Sequence, residues 1–203
     1  MRDKKVTLCM IVKDETHIIE ECLRSMAKYV DRYDITDTGS TDGTPELIKK
    51  TMDELGVPGE VYLSDWKGFG DHANRIGSRT EAFHNAEKSD ADYAWVIDAD
   101  DYIEGNFEYP KKMDADGYTL LIKRGDFSWW RNQIFKIDLG WRYIGVLHEY
   151  ADATKQSPAV FQKVSGNYHI SARTEGNRNV GITPVEKYTR DAETLLDAIK
   201  DEP

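Results

Sequence analysis

Residues 93–101 read YAWVIDADD, an aromatic and aliphatic run set directly against three carboxylates, Asp98, Asp100 and Asp101. A run that is apolar at consecutive positions suits a strand covered on both faces, as in the interior of a parallel sheet. The end of such a strand faces a crevice rather than open solvent. The carboxylates therefore stand at the mouth of the core.

Working outward toward the N-terminus, strand-like and helix-like segments alternate. VTLCMIV (6–12) is β-prone, and HIIEECLRSMAKYV (17–30) places Ile18, Cys22, Met26 and Tyr29 at helical spacing. A second strand runs to about Asp37, followed by a Gly/Ser/Thr/Asp turn and a helix with Pro45 in its first turn and Gly56 at its end. GEVYLSDW (59–66) reads as a third strand, HANRIGSRTEAFHNAEKS (72–89) as a helix presenting Ala82, Phe83 and Ala86, and YAWVID (93–98) as the fourth strand. Such alternation implies parallel strands joined by right-handed crossovers, with helices on both faces. Open sheets of this kind bind ligands at the carboxyl ends of their strands.

Toward the C-terminus the pattern changes. GYTLLIKRG (117–125), SWWRNQIFKI (128–137), IGVLHEYAD (144–152) and NYHISA (167–172) are β-prone runs separated by short turns, which favours antiparallel pairing. RTEGNRNVG (173–181) is polar and Gly-rich, a candidate flap, and residues 182–202 close the chain as an amphipathic helix. A chain of 203 residues holds one sizeable α/β core, so residues 1–203 are expected to form one domain, with a ligand-binding half (1–105) and a second half (106–203).

The formal charge of −10 opposes unspecific binding to nucleic acid or anionic membrane, which needs clustered Lys and Arg. No apolar run approaches the ~20 residues of a membrane span. The basic start, MRDKKVTLCMIVKDE, lacks a small-residue cleavage site. Cys9 and Cys22 lie in apolar stretches and read as core residues. A reducing cytoplasm is the expected compartment.

The Asp cluster admits a solvated turn, a Ca²⁺ loop or a Mg²⁺/Mn²⁺ site. DADD lacks the spacing of an EF-hand loop, and carboxylates two residues apart can together hold a hard cation while a phosphate supplies further oxygens. DITDTGSTDGT (34–44) also follows a predicted parallel strand, which puts Asp37 on the rim of Asp98. It matches neither a dinucleotide fingerprint nor a Walker loop. In GWRYIGVLHEY, His148 and Glu149 are sequential and alternate faces unless the strand ends or bulges there. Trp129 and Trp130 must likewise point to opposite faces, so that one can serve the core while the other lines a pocket.

TLCMIVKDETHIIEECLRSM, DTGSTDGT and YAWVIDADD, in this order, resemble the nucleotide-sugar-binding half of a family 2 glycosyltransferase with the GT-A fold. Through WRYIGVLHEY the chain is similar to the small branch called SunS-like or viral, and if it is virus-encoded the compartment is the host-cell cytoplasm. The resemblance implies a Rossmann-like three-layer α/β/α architecture with an antiparallel acceptor side. It implies a metal-dependent, inverting hexosyltransferase that moves a sugar from a nucleoside diphosphate sugar, UDP-sugar favoured, to a hydroxyl of a glycan, lipid or protein. By position, Val12, Lys13, Asp14 and Glu15 border the nucleoside, and Asp37 with Gly39 meets the base edge. Asp98, Ala99 and Asp100 match the DXD motif that contacts the ribose and the Mn²⁺ or Mg²⁺.

The branch pattern F-G-x-N-R-T reads FGDHANRIGSRTEAF here, so either Arg75 or Arg79 is the phosphate-facing arginine, with Arg79 preferred because RTEA continues the helix. His148 is implied as a third metal ligand or an acceptor contact. Glu149 is the candidate base, with Asp126 and Asp138 as rivals. Arg173 and Arg178 give the flap its phosphate-gripping charge, and donor binding is expected to order it. A catalytically inactive sugar-binding module is the chief alternative. A nucleotidyltransferase is less favoured because no Gly-rich basic N-terminal loop is present.

Overall fold

The computed structural model describes residues 3–72 and 75–201. The first half runs β1 (Val6–Val12), α1 (Ile19–Met26), β2 (Arg32–Asp37), α2 (Thr44–Glu54), β3 (Gly59–Leu63), α3 (Ser78–Ala86) and β4 (Tyr93–Val96). The second comprises β5 (Tyr102–Asn106), β6 (Gly117–Arg124), β7 (Phe127–Lys136), β8 (Trp141–Ile144), β9 (Tyr150–Ala153), β10 (Phe161–Lys163), β11 (Asn167–Ser171) and α4 (Pro184–Asp201).

The main sheet is ordered β3-β2-β1-β4-β7-β6-β11-β5, with β10 added beside β6. β3, β2, β1 and β4 are parallel, so Val12, Asp37 and the residues after Val96 emerge on one rim. β7 joins antiparallel to β4, and β6 pairs antiparallel with β7. The expected antiparallel second half is thus present in β6–β7, β8–β9 and β11–β5, whereas β11 and β10 run parallel to β6.

β4 shows why its sequence is apolar throughout. Tyr93 and Trp95 pack into the cluster containing Ile19, Leu23, Met26, Ile48 and Met52, on the side of α1 and α2. Ala94 and Val96 point the opposite way, into the cluster of α3 with Phe83, Phe135, Trp141 and Tyr143. Successive side chains of a strand alternate faces, so a strand between two helical layers needs apolar residues at every position. This is the three-layer arrangement.

Four sequence expectations shift. The inward face of α1 is Ile19, Cys22, Leu23 and Met26, because the helix starts after Ile18 and yields at Ala27 to a 3₁₀ turn that holds Tyr29. α3 begins at Ser78 rather than near residue 72. The chain crosses itself just before it, where a Cβ on Gly77 would lie 2.4 Å from the Gly70 backbone. IGVLHEYAD is not one strand: β8 ends at Ile144, the chain bends through 145–148 with positive φ at Gly145 (107°) and His148 (55°), and β9 starts at Tyr150. β5, in YIEGN, is an additional strand held by β11.

Candidate active site

The rim is built from the loops after β1, β2 and β4, and the first two are stitched together. The carbonyl of Val12 accepts from both the amide and the hydroxyl of Thr38. Asp14, at φ 55°, donates its amide to Ser40 and accepts from the Thr41 amide, and the Glu15 amide reaches Thr44 Oγ1. Lys13 is exposed beside them. Asp42 fixes the other end of this seam, accepting from the amides and hydroxyls of Thr16 and Thr44. Burial pushes the Asp42 carboxyl up, but these hydrogen bonds outweigh it and hold the group at about 2.

Asp37 is almost wholly buried, and one of its oxygens accepts from the Gly39 and Ser40 amides at 3.0 and 2.9 Å, a turn that Gly39 makes at φ 99°. The other oxygen, Oδ2, is buried and has no hydrogen-bond partner among the described residues. An orphaned buried acceptor costs free energy unless a donor reaches it.

Asp98 receives Arg79 at 2.8 Å and Arg131 at 3.6 Å. Burial would raise its carboxyl; the two guanidinium groups win and hold it at about 2. Asp101 shares Arg131 at 3.3 Å and is pushed the other way, to about 7, by burial and by the adjacent Asp98 charge. Ala99 is buried between them. Asp100 Oδ2 accepts from the amides of Glu175 and Gly176, and the Asp100 carbonyl accepts from Arg173 Nε.

Of the two candidate arginines, Arg79 reaches the carboxylates. It lies over the rings of Phe69 and Tyr143, pairs with Asp98, and meets Glu149 at 2.5 Å. Burial opposes its charge, yet the two carboxylates raise its affinity for the proton still further, so it stays cationic. Arg75 is exposed in the preceding loop, its backbone bridged to His72. Glu149 comes to the site because the bend at 145–148 turns the chain back, which an unbroken strand would not do.

His148, in the same bend, does not join Asp98 and Asp100: among the described residues no three His, Cys, Asp or Glu side chains are gathered for an ion. Asp126 lies exposed in the β6–β7 turn. Asp138 follows β7 at the end that pairs with Tyr93, opposite the rim of Asp98, and sits beside Lys136. The segment 173–181 is docked on the rim, with Arg173 bound to Glu21 and Arg178 set over the Phe69 ring and paired with Asp191 of α4.

Arg79, Asp98, Trp130, Arg131, Tyr143 and Glu149 line a cavity of about 350 Å³. Trp129 packs on the core while Trp130 is 37% exposed at this cavity, the division expected of adjacent residues on a strand. Three contributors were missing from the sequence reading. Arg131 stands on β7, whose pairing with β4 no local pattern reveals. Asp71 accepts from the Gly77 amide, pairs with Arg142 and bridges to Ile144, tying β8 to the loop before α3. The amides of Glu175 and Gly176 act through the backbone, where the sequence carries no chemical signal.

Comparison with known proteins places this geometry. The family model described as Glycosyl transferase family 2 matches residues 7–115, just over half of the chain. A TPR repeat-containing protein of Synechococcus elongatus is 28% identical over 177 residues, covering 83% of this chain and 40% of that protein. The chain thus spans less than half the length of this curated relative. S. aureus TarS 1–349 in complex with UDP-GlcNAc superposes with a TM-score of 0.57 at 14% identity, over 96% of this chain and 67% of that one. The complex of the same protein with UDP gives 0.55 at 14% identity, over 96% and 66%. The fold is that of GT-A glycosyltransferases, and the chain belongs to glycosyl transferase family 2.

Proposed function

We propose that this chain is a metal-dependent, inverting hexosyltransferase that takes a sugar from a UDP-sugar and passes it to an acceptor hydroxyl, acting in the cytoplasm as part of the small SunS-like or viral branch. The observation that carries the nucleotide reading is Asp37 Oδ2, a buried acceptor without a donor on the rim that also carries Asp98 and Asp100. A uracil edge brings an N–H to such a group. The similarity in fold to a protein bound to UDP-GlcNAc agrees with this choice. Among the described residues no helix is long and apolar enough to cross a membrane.

Asp98 and Asp100 offer hard carboxylate oxygens, and Asp98 is held ionised, so the donor set fits Mn²⁺ or Mg²⁺. When bound, such an ion supplies positive charge against the departing diphosphate. Arg79 adds a fixed, buried cation held by two carboxylates. Glu149, across the cavity from Trp130, takes the proton of the acceptor hydroxyl as its oxygen bonds to the anomeric carbon and the bond to the diphosphate oxygen breaks. Trp130 offers an apolar ring to the C–H face of an acceptor, and the segment carrying Arg173 and Arg178, anchored at its far end by Phe69 and Asp191, excludes water, the competing acceptor.

The test is mass-spectrometric analysis of a panel of nucleotide sugars incubated with the protein and Mn²⁺. Release of UDP from one of them supports the transferase. Released pyrophosphate indicates a nucleotidyltransferase, and a thermal shift with no product indicates a binding module.

A further inference from the structure

The segment after β11 crosses the rim with its backbone turned toward the carboxylates. The amides of Glu175 and Gly176 both reach Asp100 Oδ2, each at 3.0 Å. The next amide, of Asn177, lies 3.2 and 3.1 Å from the two oxygens of Glu15. Arg173 donates its own amide to Asp101 Oδ1 at 3.2 Å and its Nε to the Asp100 carbonyl at 2.6 Å, and a ring nitrogen of His17 meets the Glu175 carbonyl at 2.9 Å. A Cβ on Gly176 would stand at ordinary contact distance, 3.4 to 3.5 Å, from Glu15 and Asp100, so an alanine fits there. The far end of the segment is held at Arg178 by Phe69 and Asp191.

Two N–H groups converging on one carboxylate oxygen occupy the electron pairs that a metal ion would use. Both the amide hydrogens and the cation are positive, so they exclude one another at the same oxygen. We propose that the amides of Glu175 and Gly176 compete with the divalent cation for Asp100, so that the docked segment is a latch on the metal site. The inference rests on the assignment of Asp100 as a cation ligand. It reverses the expectation drawn from composition, that the donor orders the segment: here the cation loosens the segment's grip on Asp100. The apparent affinity for a metal is then reduced by the fraction of molecules in which the latch is closed.

Gly176 provides a clean test because its backbone angles, φ −58° and ψ 152°, suit proline. Gly176→Pro keeps φ but replaces the amide hydrogen with the ring Cδ, which cannot sit against Asp100 Oδ2 and so opens the latch there, and Gly176→Ala keeps the donor and serves as control. Mn²⁺ is titrated into the full chain without nucleotide, and free Mn²⁺ is read by electron paramagnetic resonance. Gly176→Pro should bind Mn²⁺ about tenfold tighter than the unaltered chain, the scale of one hydrogen bond to a charged group, with Gly176→Ala unchanged. Equal or weaker binding by Gly176→Pro overturns the latch. Hydrogen exchange in the unaltered chain supplies a reading that does not depend on how the variant folds: Mn²⁺ should speed exchange at amides 175 and 176 and leave β1 and β4 as they were. Unchanged or slower exchange at 175 and 176 also overturns the latch. Asp100→Ala separates the two ideas. If it binds Mn²⁺ as well as the unaltered chain does, the cation assignment itself falls and the latch with it; if it loses Mn²⁺, the assignment stands whatever the glycine variants show.

Discussion

Arg79 Nε lies 2.5 Å from the carboxylate of Glu149, although α3 and the β8–β9 hairpin lie in different halves of the chain. The contact makes the candidate base and the candidate phosphate-facing cation a single unit with Asp98. Removing the negative charge of Glu149 leaves Arg79 still paired with Asp98, so the donor side should survive the change. Glu149→Gln is therefore expected to lower the rate of transfer by about a hundredfold or more while UDP affinity stays within about threefold. Rate measurements alongside calorimetric binding of UDP check this. A normal rate in Glu149→Gln moves the role of base to Asp126, since Asp138 stands at the opposite end of β7.

Asp37 is tested by a change that spares its structural oxygen. In Asp37→Asn, the oxygen that caps Gly39 and Ser40 remains an acceptor. An NH₂ then replaces the unpaired Oδ2 and faces the base N–H as a second donor. UDP binding should weaken by about 1–3 kcal/mol with little change in melting temperature. Undiminished affinity would show that the base lies elsewhere.

Trp130→Ala should raise the acceptor KM and leave UDP binding unchanged, because the ring is exposed on the cavity side and its neighbour Trp129 carries the packing. Comparing acceptor and donor titrations of the variant decides the point. Equal loss toward both substrates would place Trp130 at the donor.

Asp42 gives a prediction in pH. Its carboxyl in the folded chain is held at about 2, below the unfolded value of about 3.9. A group lowered by folding adds stability that is fully present above the unfolded value and is lost as pH falls through the folded one. Asp42→Asn should thus lower the melting temperature at about pH 6, and the difference should close by about pH 2. Melting curves across that range check the closure, and a gap independent of pH would assign the effect to lost geometry instead.

How much of this was legible in the sequence depends on how far apart the interacting residues lie. The alternation that gave β1 to β4, and hence the shared rim of Asp37 and Asp98, arises from local periodicity and turn chemistry, both written residue by residue. β5 escaped because YIEGN has little apolar content and exists through pairing with β11, more than sixty positions away. The run IGVLHEYAD carried its own warning in Gly145, whose left-handed φ breaks the strand and brings Glu149 round to Arg79. Arg131 had no such signal, since its place on the rim follows from β7 lying against β4.

The β8–β9 hairpin forms its own two-stranded sheet and meets the loop before α3 at Asp71. Its tip carries Glu149 and Tyr150, while Asp37, Asp98 and Asp100 belong to the main scaffold. The hairpin is in that sense an exchangeable cassette. Under the proposed function, a chimera that keeps Asp71, Arg142 and the Tyr143 backbone as its junction, and Glu149 as the partner of Arg79, can receive a foreign tip and so offers a way to change the acceptor.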